Sequence, residues 1–212
     1  MDYKEILGLA SVFIALISYY PYIKDIISNK TKPHSISWVI WCVLGVVTYI
    51  GQISANAGPG AWVTGITTLI CMVIATIGLT KNQVEIDTMD WLSLTGAIIV
   101  LLFWFVIKNP LLSIILATVI NSVGFIPTFR KSYNNPFDET LSTYVLGGLK
   151  FVLALYALSS FTLVNILFPL SVITLSWSFV AVVIIRRAQI NENKIFSMVR
   201  LAYLDIPGET NI

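Results

Sequence analysis

Lys150 is the residue whose type and setting most restrict its chemistry. It lies inside the apolar run from Leu141 to Phe161. If that run is a membrane helix entered at Leu141, a rise of 1.5 Å per residue puts Lys150 roughly 14 Å deep, near the centre of a bilayer core about 30 Å thick. A lysine there costs about 2.5 to 3.5 kcal/mol on insertion scales, so it must face a wet cavity or a partner. No Asp or Glu stands at comparable depth in any apolar run. The partner is then a carbonyl, a polar side chain, water or the anionic group of a ligand. A purely structural lysine and a substrate-binding one both meet this demand.

Other polar residues reach similar depth. Asn121 does so when its run is counted from Leu111, as do Thr67 and Thr68 on a third run and Ser171 and Thr174 on a seventh. Together with Lys150 they outline a polar cavity, although Ser and Thr also serve as packing residues between membrane helices. Trp41 and Tyr49 on the second run could line it, by stacking or hydrogen bonding. Trp38, Trp62, Trp91 and Trp104 fall nearer the interfaces and fit an aromatic belt; Trp177 is deeper and can face lipid. The expected substrate-binding set is Lys150, Asn121, Thr67, Ser171, Trp41 and Tyr49.

Pro21 and Pro127 each interrupt an apolar run about one turn from its end. A proline inside a helix removes a backbone hydrogen bond and bends it. Kinks at matched depth suit a gate; they also suit static packing. Tyr19, Tyr20 and Tyr22 fit the interfacial belt, and Tyr22, beside Pro21, joins the two prolines as a gating candidate. His34 reads as a solvated helix-start residue. Cys42 and Cys71 sit in apolar runs and read as small buried hydrophobes. No nucleotide loop, zinc spacing, catalytic triad or acid pair occurs, so no catalytic or metal-binding residue, no cofactor and no enzyme activity are expected. Nor is there a basic soluble surface for nucleic acid.

The elements that must position these residues follow from composition. Of 212 residues, 57% are hydrophobic and 11% charged, against about a quarter charged in soluble domains. Seven apolar stretches run approximately from Ile6 to Ile27, Ile36 to Ala55, Gly60 to Leu79, Trp91 to Ile107, Leu111 to Phe129, Leu141 to Phe161 and Leu163 to Ile185. The expected fold is an all-α membrane protein with seven transmembrane helices. The acidic start, with Asp2 and Glu5, argues against a cleaved signal peptide. Lys24, Lys30, Lys32, Lys81, Arg130, Lys131, Arg186, Arg187, Lys194 and Arg200 fall on one side of such a topology, against Lys4 and Lys108 on the other. The positive-inside rule then places the N-terminus outside and the C-terminus in the cytoplasm; in a bacterium the membrane is the inner one. The tail after 188 is either an interfacial helix or loosely ordered.

An internal repeat organises the helices. Pro21-Tyr22-Ile23-Lys24 at the end of the first run matches Pro127-Thr128-Phe129-Arg130 at the end of the fifth. The following entries, Ser35-Ile36-Ser37-Trp38 and Thr140-Leu141-Ser142-Thr143, also match with a single gap. The chain divides into a first bundle over 1–80, a linker with the fourth helix over 81–109, a second bundle over 110–188 and a tail over 189–212. This 3+1+3 plan makes the two triplets parallel.

The plan, with the segments Pro21 to Trp38 and Pro127 to Tyr144, resembles the SWEET and PQ-loop repeat superfamily, whose SemiSWEET members are three-helix dimers. The prolines of the Pro-Gln pair carry over and the glutamines do not. The resemblance implies a small-solute transporter working by alternating access, with some relatives acting as receptors. In that pattern asparagines on the third and seventh helices hold a sugar. Neither helix carries one at midplane here, because Asn165 lies near the outer end, which leaves room for an anionic or zwitterionic solute. The expected partners are a small polar solute (sugar, amino acid or organic anion) and the lipid bilayer, in a monomer or weak homo-oligomer. Facilitative transport is the default, since no intramembrane acid marks an ion pathway. A ligand-binding receptor on the same fold is the alternative. A retinal protein is disfavoured, because the seventh run has no lysine.

Overall fold

A computed structural model of the chain describes residues 1–28, 35–80, 88–107, 109–134, 136–138 and 141–204. They form seven α-helices: α1 Tyr3–Ile27, α2 Ser35–Ser54, α3 Trp62–Thr80, α4 Thr88–Ile107, α5 Pro110–Asn134, α6 Leu141–Tyr156 and α7 Leu163–Leu204. Short 3-10 turns cover Gly58–Ala61 and Pro136–Asp138, and there is no strand among the described residues. Four helical stretches are long and apolar enough to cross a membrane: Tyr3–Lys24, Ser35–Ser54, Gly58–Thr80 and Leu163–Asn191. Helices α4, α5 and α6 carry shorter apolar segments, Leu94–Phe103, Pro110–Ile126 and Leu141–Tyr156.

The surface is apolar where a soluble protein would be polar. On α1 the side chains of Ile6, Leu9, Phe13, Leu16 and Ile17 are exposed, while Ser11 and Ser18 are buried and bond back to the carbonyls of Gly8 and Ala15. In lipid this is the solvated arrangement: backbone polar groups close within helices and apolar side chains meet hydrocarbon. The chain is therefore a helical membrane protein.

Each end of a helix has a local cause. Asp2 N–H donates to Glu5 Oε2 at 3.1 Å, so the acidic start caps α1. At the end of α2, Asn56 takes a left-handed conformation (φ 54°) and Ala57 N–H reaches back to the Gln52 carbonyl at 2.9 Å. This is the glycine-type helix stop filled by asparagine, whose short side chain tolerates positive φ. Gly60 lets the next turn approach α6 closely: a Cβ there would lie 2.7 Å from the Ala154 carbonyl oxygen.

Two helix bounds differ from the apolar runs. Helix α6 ends at Tyr156 rather than Phe161, because Ser159 N–H donates to the Ala57 carbonyl at 2.8 Å and the Ser160 carbonyl accepts from Asn165, holding this stretch out of the helix. Helix α7 passes Ile185 and continues to Leu204, through the 188/189 boundary. Arg186 and Arg187 are good helix formers, and their guanidinium groups donate to the carbonyls of Tyr133 (3.1 Å) and Pro136 (2.9 Å), which ties α7 to the connection after α5.

The packing has a regular order. Helix α3 packs on both α1 and α2; α7 packs on both α5 and α6. Between these groups α1 meets α6 and α2 meets α5, while α4 lies on α2 and α5. Phe151, Phe168, Ile173, Ala15, Val63 and Ile114 form a central apolar cluster.

Proline marks two helices within the described side chains. Pro21 lies inside α1 and Pro169 inside α7. Each lacks an N–H, so the carbonyls four residues earlier, on Ile17 and Asn165, lose their helical partner. The side chain of Pro127 and residues Lys30, Lys32, Pro33, His34, Lys81 and Lys108 lie outside the described residues, as do 205–212.

Candidate functional site

A cavity of about 820 Å³ opens among α1, α2, α3, α5, α6 and α7. Its lining runs from Ser37 and Ser142, in the first turns of α2 and α6, to Thr64 and Phe168 near the starts of α3 and α7. It thus extends from the end of the bundle where α1 and α5 end and α2 and α6 begin toward the end where α3 and α7 start. Among the described residues no Asp or Glu lines it, and Lys150 is the one cation that does.

Lys150 is 2% exposed. Its ammonium donates to the Tyr19 hydroxyl at 3.3 Å and to Thr67 Oγ1 at 3.2 Å. It also lies 4.5 Å from the centroid of the Tyr19 ring and 5.3 Å from that of Phe151. Such cation–π contacts contribute about 2 kcal/mol when desolvated. Three helices meet at this one charge: α1 through Tyr19, α3 through Thr67 and α6 through Lys150 itself. A lysine ammonium has three N–H donors and no acceptor, so two neutral oxygens leave one donor free and no counter-charge among the described lining residues.

Asn121 also lines the cavity. It is 7% exposed, and its side-chain Nδ2 is buried without a hydrogen-bond partner among the described residues. The neighbouring wall is aromatic: the Tyr19 and Trp38 rings lie 6.1 Å apart edge-on, Trp38 stands 5.2 Å from Tyr22, and Trp41 packs edge-on to Trp38 at 5.0 Å. These separations fall in the range aromatic pairs prefer. Thr68 adds little polarity, because its hydroxyl bonds to the Thr64 carbonyl at 2.8 Å.

Of the expected binding residues, Lys150, Asn121, Thr67 and Trp41 come together on this cavity, and so do Pro21 and Tyr22. Ser171 and Tyr49 do not. The Ser171 hydroxyl turns back to the Phe168 carbonyl at 2.7 Å, and Val172 and Ser176 line the cavity from α7 instead. Tyr49 packs at the opposite end, against Ala57, Ala61 and Leu158. Trp38 leaves the interfacial belt for the cavity wall and is 7% exposed. Trp177, 43% exposed, does face outward.

The opposite end of the bundle is closed by a polar clamp that residue types alone did not reveal. Asn165 is fully buried, and its Nδ2 donates to the carbonyls of Ala55 (3.0 Å) and Ser160 (2.8 Å). Gln52, also fully buried, donates from Nε2 to the Asn165 carbonyl at 3.3 Å. That carbonyl is the one Pro169 leaves without a helical donor. The signal in the sequence was the Asn165-to-Pro169 spacing of four; its partner on α2 had none.

Tyr19 was likewise invisible as a lysine partner, since its place at a helix end suits the belt equally well. Among the described residues no group of three or more His, Cys, Asp or Glu side chains is placed to hold a metal ion. No family model, curated protein or solved structure matches the chain.

Proposed function

We propose that the chain is a membrane transporter that carries a small polar solute by alternating access between two parallel three-helix bundles, α1–α3 and α5–α7, joined by α4. The observation that carries this reading is a cavity with a buried cation among helices of both bundles, with a polar clamp at one end of the bundle. The packing order supports the repeat. Exchanging α1 with α5, α2 with α6 and α3 with α7 maps the pairs α1/α3, α2/α3 and α1/α6 onto α5/α7, α6/α7 and α5/α2. Only α4 lacks a counterpart, as a linker helix between parallel repeats must.

The charge asymmetry orients the protein. Lys24, Arg186 and Arg187 stand at the end of the bundle where α1 and α5 finish, opposite the clamp, so that end faces the cytoplasm and the clamp faces outside. Opening would then alternate between the clamp and the Pro21–Tyr22 end. The freed Ile17 carbonyl sits on a residue of the cavity lining, where water or solute can satisfy it.

The test is a thermal-shift screen of sugars, amino acids and organic acids on the purified protein, followed by uptake of every stabilising compound into proteoliposomes. Ligands stabilise by mass action, so binding is visible before flux is measured. Saturable uptake is the expected result. Binding with no flux for any stabilising compound would overturn transport in favour of a receptor on the same fold.

A further inference from the structure

The cavity's donors and walls specify a ligand more narrowly than a polar solute. We propose, building on the transport reading, that the cavity binds a small monocarboxylate with a flat apolar body. Its carboxylate pairs with the Lys150 ammonium and the Asn121 amide, and its body lies on the wall of Tyr22, Trp38 and Trp41.

Three observations converge. The first is charge: Lys150 is 2% exposed and meets two neutral oxygens and two aromatic rings, and among the described residues no acid lines the cavity. A buried charge is costly until it is paired, so a ligand with one negative charge neutralises the site. A neutral sugar leaves the ammonium unpaired, and among the described lining residues a phosphate dianion finds no second cation and a zwitterion's ammonium finds no acid.

The second is donor count. Lys150 retains one N–H beyond its two acceptors, and Asn121 Nδ2 has two that no described residue accepts. A carboxylate accepts without donating, through two oxygens with about four lone-pair sites. These N–H groups can only donate, and a carboxylate supplies the acceptors they lack.

The third is shape. From Tyr19, which holds the ammonium, the rings of Trp38, Trp41 and Tyr22 follow at centroid separations of 5.0 to 6.1 Å. A row of aromatic rings in the lining, beginning at the tyrosine that holds the ammonium, suits a planar, apolar group attached to the carboxylate.

The full chain in detergent is titrated with phenylacetate, its neutral isostere phenylacetamide, the zwitterion phenylalanine, phenyl phosphate and glucose. The readouts are tryptophan fluorescence, for contact with Trp38 and Trp41, and melting temperature. Phenylacetate is expected to bind at least about 30-fold more tightly than phenylacetamide, the low end of the loss when one partner of a buried hydrogen-bonded charge pair is removed. Lys150→Met abolishes that preference and Lys150→Arg retains a preference for the anion. Should Lys150→Met not fold, Asn121→Ala reads the same preference, reduced but of the same sign.

Equal binding of phenylacetate and phenylacetamide to the wild-type protein, or selective binding of glucose, phenylalanine or phenyl phosphate, would overturn the monocarboxylate assignment and leave transport standing. So would the absence of binding by every probe. Phenylacetate binding without uptake into proteoliposomes upholds the site and removes the transport reading instead.

Discussion

Asn165→Ala removes the two side-chain bonds that hold the closed end of the bundle, to the carbonyls of Ala55 and Ser160. Hydrogen bonds inside membrane proteins contribute about 0.6 kcal/mol on average and about 1.7 at most. Two of them therefore amount to roughly 1 to 3 kcal/mol, which is about 5-fold to 150-fold in an equilibrium between clamped and open ends. The Gln52 bond survives this change, because it is accepted by the Asn165 main chain. Thr64 is the reporter. It lines the cavity near the clamp and is 2% exposed, so a Thr64→Cys thiol is shielded while the clamp holds. In a background lacking Cys42 and Cys71, labelling of Thr64→Cys by a membrane-impermeant maleimide from the clamp side is expected to accelerate at least about fivefold when Asn165→Ala is added. A folded double variant with an unchanged labelling rate and a lowered melting temperature would refute the gate, leaving the clamp as a static fastening.

Three further outcomes are expected. Phe161→Cys, at a side chain 66% exposed, labels from outside, and Tyr133→Cys, at one 52% exposed, labels from the cytoplasm, in a cysteine-free background on oriented vesicles; the reverse pattern would end the orientation argument. Pro169→Ala returns an N–H to the Asn165 carbonyl and displaces Gln52, so a cycle of Pro169→Ala with Gln52→Leu shows a coupling of about 0.5 to 1.5 kcal/mol by thermal unfolding, and strict additivity would break the link. Gly60→Ala sets a methyl 2.7 Å from the Ala154 carbonyl oxygen and lowers stability by about 1 to 3 kcal/mol in the same assay, a wild-type melting curve being the contrary result.

Much of the fold was legible without coordinates, because lipid leaves backbone polar groups few options. The apolar runs and their polar breaks marked all seven helices, and the 1.5 Å rise placed Lys150 deep on α6, where it is buried. Asn121 and Thr67, counted to a similar depth, line the same cavity, because depth is a property of position along one helix; Pro21 and Tyr22 line it from nearer the end of α1. Rotation about the helix axis is not. Helices that are apolar on every side carry no stripe to say which face turns inward, and one residue changes that face by about 100°. Ser171 therefore bonds within α7 while Val172 and Ser176 line the cavity, and Tyr49 packs at the clamp instead of the site. The pairing of Tyr19 and Thr67 with Lys150, and of Gln52 with Asn165, joins residues 83 to 131 positions apart. Such partners are chosen by how the helices pack, since a side chain's depth is local to its own helix and its neighbour across an interface is not.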